Sequence, residues 1–66
     1  MYKLITSEGK ISRRKQMNLK QMQNFVGGYI EFVGNIICNE DGKLKDLPIN
    51  RLYPKFVGNI IIKIKI

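Results

Sequence analysis

The 66-residue sequence has no histidine, no tryptophan and no alanine, and it has only one cysteine and two prolines. Without histidine a chain cannot build the commonest protein metal sites, nor activate a nucleophile with an imidazole. A single cysteine closes no internal disulfide, which points to a reducing compartment. The five acidic residues show no pairing with an acid–base partner. Catalysis would have to rest on lysine, tyrosine or backbone alone, so neither an enzyme nor a bound metal or other cofactor is expected. Long apolar runs are also missing. The longest uninterrupted aliphatic run is Ile60-Ile61-Ile62, against the roughly 18 residues of a membrane-spanning helix. The start, Met1 to Thr6, has neither the apolar stretch nor the cleavage site of a signal peptide. The expectation is a cytoplasmic protein without membrane contact.

What is abundant is positive charge and isoleucine. Twelve Lys and Arg stand against five Asp and Glu, a net charge of +7, and 44% of the residues are hydrophobic. The length fits one domain over residues 1–66 with a single small core. At about 0.05–0.15 kcal/mol per residue such a domain is stable by roughly 3–10 kcal/mol. Small domains without disulfides or metals often recruit a second copy, so a homo-oligomer is expected. The charge is unevenly spread: residues 1–30 carry six positive charges and one negative, residues 31–54 three positive and four negative. This suggests one positive face, with Lys10, Arg13, Arg14, Lys15 and Lys20 as the candidate basic patch. The competing reading is charge for solubility alone.

Tyr2 to Thr6 is rich in β-formers and runs into a Ser7-Glu8-Gly9 turn, after which Lys10 to Lys15 returns as an exposed edge strand guarded by its own charges. Asn18 and Gln21 form a capping box, Met17 and Met22 a hydrophobic staple, and Leu19, Met22, Phe25 and Val26 one face of a helix that Gly27 stops. Tyr29 to Val33 and Ile36 to Asn39 read as strands around a Gly34-Asn35 turn. Residues 43–55 are irregular, because Pro48 and Pro54 forbid a central strand. Ile60 to Ile66, with Lys63 and Lys65 on the polar side, closes the chain as a half-buried strand. The predicted fold is α+β: a small β-grasp-like sheet of four to five strands with one short helix, the last strand beside the first and one sheet face open, with a simpler open sheet carrying a hairpin as the alternative. The fragment Phe32-Val33-Gly34-Asn35-Ile36-Ile37 recurs at Phe56 to Ile61, with a third version at Phe25. The flanks do not repeat, so this reads as a shared turn vocabulary rather than a repeat protein.

Val-Gly-Gly-Tyr-Ile-Glu from Val26, Cys-Asn-Glu-Asp-Gly-Lys from Cys38 and Leu-Pro-Ile-Asn-Arg from Leu47 occur in that order. From Phe25 to Ile62 the chain resembles a family of small phage- and plasmid-borne domains of unknown function that carry VGGYIE, CNEEGK and LPxNR. The resemblance implies a mobile-element origin and a role during takeover of a bacterial host. It implies no activity.

Each motif has a structural and a functional reading. Gly27-Gly28 is a helix stop or a backbone approach to a phosphate. Asn39 to Lys43 is a turn; it lacks the ligand spacing of a calcium loop. Pro48 to Arg51 presents Asn50 and Arg51 from a Pro-fixed loop, a way of holding an anion, or else its arginine ties the loop to Glu31 or Asp46. Cys38, within an apolar run, reads as a structural thiol. The candidate ligand-binding residues are thus Asn50, Arg51, Lys43, Tyr29 and Gly28. The first expectation for function is a non-enzymatic protein that sequesters an anionic, nucleotide-derived immune signal. The alternatives are an inhibitor that binds a host defence or metabolic protein through a sheet face or edge, and a nucleic-acid-binding module.

Overall fold

Residues 1–64 are described by a computed structural model. Near its start the chain reverses tightly between Thr6 and Lys10. The Gly9 amide donates to the Thr6 carbonyl at 2.9 Å, and the Lys10 amide donates to the Thr6 hydroxyl at 3.0 Å. The loop joins β1 (Tyr2–Ile5) to β2 (Ile11–Arg14), and β2 is exposed along its whole length.

The helix α1 (Leu19–Val26) has the predicted limits. The Gln21 amide donates to the Asn18 side chain at 2.8 Å, and the Asn18 amide donates to the Gln21 side chain at 2.9 Å. Met17, before the cap, packs into the same cluster as Met22, which is the hydrophobic staple expected from their positions. Met22 and Val26 are buried and Phe25 half-buried, whereas Leu19, expected on the buried face, is exposed. The staple folds Met17 into the apolar contact that Leu19 was expected to make.

β3 (Ile30–Val33) and β4 (Ile36–Asn39) form a hairpin around Gly34-Asn35, with Val33 opposite Ile36. Gly34 has φ of 62°, and positive φ at the first turn residue is what a two-residue hairpin of type II′ requires. The last strand, β5 (Ile60–Lys63), is shorter than the predicted Ile60–Ile66; Lys65 and Ile66 lie outside the described residues. The sheet order is β2-β1-β5-β4-β3, with every neighbouring pair antiparallel. The last strand does lie beside the first. Their antiparallel direction departs from the parallel central pair of a β-grasp, and the fold is a five-stranded antiparallel sheet with one helix. β5 takes its direction from β4: the crossover over residues 40–59 brings the chain back alongside β4 in the opposite sense.

Side chains alternate across the sheet. Leu4, Ile37 and Ile61 point to α1, where they meet Met22 and Val26. Ile5, Cys38 and Ile60 point the other way, into a second cluster joined by Tyr53 and Phe56 of the crossover. The expectation of one open sheet face is therefore corrected. The irregular segment, held by an Ile49–Val57 bridge, acts as the second layer. The unbroken Ile60-Ile61-Ile62 run carries the signal, since a strand buried on both faces loses its alternation.

Candidate functional site

Among the predicted ligand-binding residues, Asn50 is corrected to a structural role. It is fully buried, and its side-chain amide donates to the carbonyls of Gly58 at 3.0 Å, Thr6 at 3.3 Å and Ile5 at 3.4 Å. Its side-chain oxygen accepts from the amides of Leu52 and Tyr53, both at 3.1 Å. Every polar atom of the side chain is engaged inside the protein, and none is presented to a ligand.

The other four residues occupy separate surfaces. Arg51 is exposed beside the β1–β2 turn, its amide donating to the Ser7 carbonyl at 3.0 Å, in a shallow depression shared with Glu8, Lys10 and Pro48. Gly28 and Tyr29 lie past the end of α1, next to Lys45, whose ammonium donates to the Gly27 carbonyl at 3.3 Å. Lys43 stands in the turn after β4, at the rim of a different cavity. In that turn the Asp41 amide donates to the Asn39 side chain at 2.8 Å, the local bond of an Asx-turn.

The cavity beside Lys43 is a groove of about 450 Å³ on the crossover face of the sheet, walled by Val33, Cys38, Leu44, Phe56 and Val57. Cys38 contributes an inert wall. Its thiol donates to the Glu31 carbonyl at 3.7 Å, and burial, reinforced by the Glu31 charge, pushes its pKa above the ordinary value. The groove runs along β3, one of the two sheet edges. Exposed large apolar side chains mark this edge: on β3 Phe32 is 63% exposed and Val33 47%, and Leu44 in the turn after β4 is 87% exposed. Glu31 is the only charged residue in β3. The opposite edge, β2, carries Arg13 and Arg14. One edge is thus guarded against strand pairing and the other is not.

The predicted basic patch is divided. Arg13 lies opposite Lys3 and Arg14 opposite Tyr2, so the two arginines project to opposite faces of the sheet. Lys10 is at the far end of β2 beside Glu8, and Lys20 is exposed in the first turn of α1. Lys3 and Lys63, which sequence reasoning did not place in the patch, stand in the same two rows as the arginines. Only strand register reveals this, because Lys3 and Lys63 come from opposite ends of the sequence.

No helix among the described residues is long and apolar enough to cross a membrane. No curated protein and no solved structure matches the chain significantly. A family model does match, over residues 1–63. It takes in the β1–β2 hairpin and the start of α1, as well as the stretch whose motifs carried the resemblance. The chain belongs to the family described as Domain of unknown function (DUF3846).

Proposed function

We propose that this domain binds a partner protein by accepting an extended segment of it at the β3 edge. The observation that supports this reading is the asymmetry of the two edges: β3 exposes Phe32 and Val33 beside a groove with apolar walls, while β2 carries two arginines. An edge strand offers a row of unpaired N–H and C=O groups to an incoming strand. Alternate side chains of that strand would point to the crossover face, over the groove between Val33, Leu44, Phe56 and Val57. The others would lie on the face of Phe32. Binding of this kind needs no catalytic group. A host defence or metabolic protein is the partner class that the resemblance to mobile-element domains implies. The reading as a trap for an anionic nucleotide has less support, since its residues do not converge and Asn50 has no free polar atom.

Capture from bacterial lysate by the unaltered protein, by Val33→Lys and by Arg13→Glu tests the proposal. Val33→Lys places a charge on the unguarded edge at a half-exposed position, where the fold tolerates it. The expected result is a partner retained by the unaltered protein and by Arg13→Glu, and reduced at least tenfold with Val33→Lys. A partner indifferent to Val33→Lys would overturn the reading. So would self-association through β3, seen as a dimer in gel filtration that Val33→Lys abolishes.

A further inference from the structure

The sheet register gathers four cations at one corner. On β1, Tyr2 stands between Arg14 of β2 and Lys63 of β5, and the next residue, Lys3, stands opposite Arg13 of β2. Arg13, Arg14 and Lys63 are exposed and Lys3 is half-buried. Met1 is adjacent, its carbonyl accepting from the Ile64 amide at 2.9 Å. No carboxylate stands opposite any of these residues in the register. Glu8 is in the turn at the other end of β1, Glu31 is on the far edge strand, and Glu40, Asp41 and Asp46 follow β4. Lys3 and Arg13 are like charges directly opposite each other, an arrangement that destabilises an antiparallel pair. Protection of the β2 edge accounts for Arg13 and Arg14. It does not account for Lys3, on the neighbouring strand β1, or Lys63, on the central strand β5.

The side chains divide between faces, Lys3 and Arg13 on one and Arg14 and Lys63 on the other, with the sheet between them. A single phosphate cannot bridge them, but a chain of phosphates passing around the edge can. The surroundings further select the ligand. Protein interfaces are anchored by aromatic and apolar residues, and a membrane surface requires apolar side chains to insert. Among the described residues the exposed large apolar side chain at this corner is Met1, with Ile11 at the other end of β2 and Phe32, Val33 and Leu44 at the opposite edge of the sheet. Contacts to a phosphate backbone need only cations that can reach it.

We propose that the corner formed by Lys3, Arg13, Arg14 and Lys63 binds the phosphate backbone of a nucleic acid without reading its sequence. Two duplexes of unrelated sequence bind alike, because no base-reading element is involved. The test is fluorescence anisotropy with two labelled 20-base-pair DNA duplexes of unrelated sequence between 50 and 300 mM KCl. With four phosphates neutralised, log K falls against log salt with a slope of about −3.6, from about −0.9 per phosphate. The exposed double variant Arg13→Gln/Arg14→Gln, checked for an unchanged circular dichroism spectrum, should show a slope shallower by about 1.8. Lys43→Gln, which removes one charge in the turn after β4, should leave the slope as it is. The proposal is overturned if the duplexes do not bind at 20 µM protein in 50 mM KCl, or if the arginine variant keeps the full slope. Tighter binding to phosphatidylglycerol vesicles or to polyglutamate than to DNA would also overturn it.

Discussion

Asn50 ties the crossover to the rest of the sheet. Its side chain reaches the carbonyls at the end of β1 and at Gly58 and the amides of Leu52 and Tyr53, while its own amide donates to the Phe56 carbonyl at 2.9 Å. In effect one carboxamide organises the loop that carries Tyr53 and Phe56 onto Ile5 and Ile60. A buried polar group left without its partner costs about 1–3 kcal/mol, and Asn50→Ala strands several at once. The expected loss is about 3 kcal/mol, read as a lower urea midpoint, and it is a large share of the total for a domain of this size. Asn50→Asp should cost more. A carboxylate cannot donate to the carbonyls of Ile5, Thr6 and Gly58, and it sets a buried negative charge against them. If Asn50→Asp were as stable as the unaltered protein, the structural role assigned to Asn50 would be wrong.

At the level of elements, the three Phe-Val-Gly fragments share one local function and differ in their surroundings. Gly27, Gly34 and Gly58 all have positive φ, at 87°, 62° and 77°. The fragment therefore ends a helix, turns a hairpin and leads into a strand with the same backbone signal. A Cβ at Gly34 would meet nothing within 4 Å, whereas at Gly58 it would lie 2.8 Å from Leu47 Cδ1 and 3.4 Å from Leu47 Cβ. Gly34→Ala should then cost the backbone strain alone, about 1–3 kcal/mol, and Gly58→Ala more, since Leu47 must also give way. Urea unfolding of the two variants checks the order, and equal costs would contradict it.

Legibility in the sequence followed the same division. The capping box at Asn18, the stop at Gly27 and the hairpin at Gly34 could be read because their chemistry is complete within a few residues. The end of α1 shows what could not be read. The Phe25 carbonyl accepts from Asn59 at 2.9 Å and the Val26 carbonyl from Asn39 at 3.0 Å, across 34 and 13 residues of sequence. The role of Asn50, the divided basic patch and the covered second face depend on register and on partners distant in sequence. Charge and motif in a single sequence supply neither. For the same reason the predicted ligand residues other than Asn50, drawn from three motifs, lie on separate surfaces.

At the scale of the whole molecule, β5 holds the two halves of the sheet together. β1 pairs with β2 on one side and β3 with β4 on the other, and the two hairpins share no strand until β5 enters between β1 and β4. Ile60 and Ile61, on opposite faces of β5, are fully buried, one in each core cluster. Full burial of an isoleucine side chain contributes about 1.5–3 kcal/mol. Removing both, together with two strand pairings, removes most of the roughly 3–10 kcal/mol expected of such a domain. A chain ending at Asn59 retains both hairpins and the helix-capping box, yet isolated hairpins are at best marginally stable in water. It should give the circular dichroism of a coil and a collapsed amide proton spectrum, and a dispersed native-like spectrum would refute this. In the intact protein the same argument ranks hydrogen exchange. The amides of Ile60 and Ile61 should be among the last to exchange, at rates set by global unfolding. Those of β2 should exchange early, because only one side of that strand is paired and none of its side chains is buried.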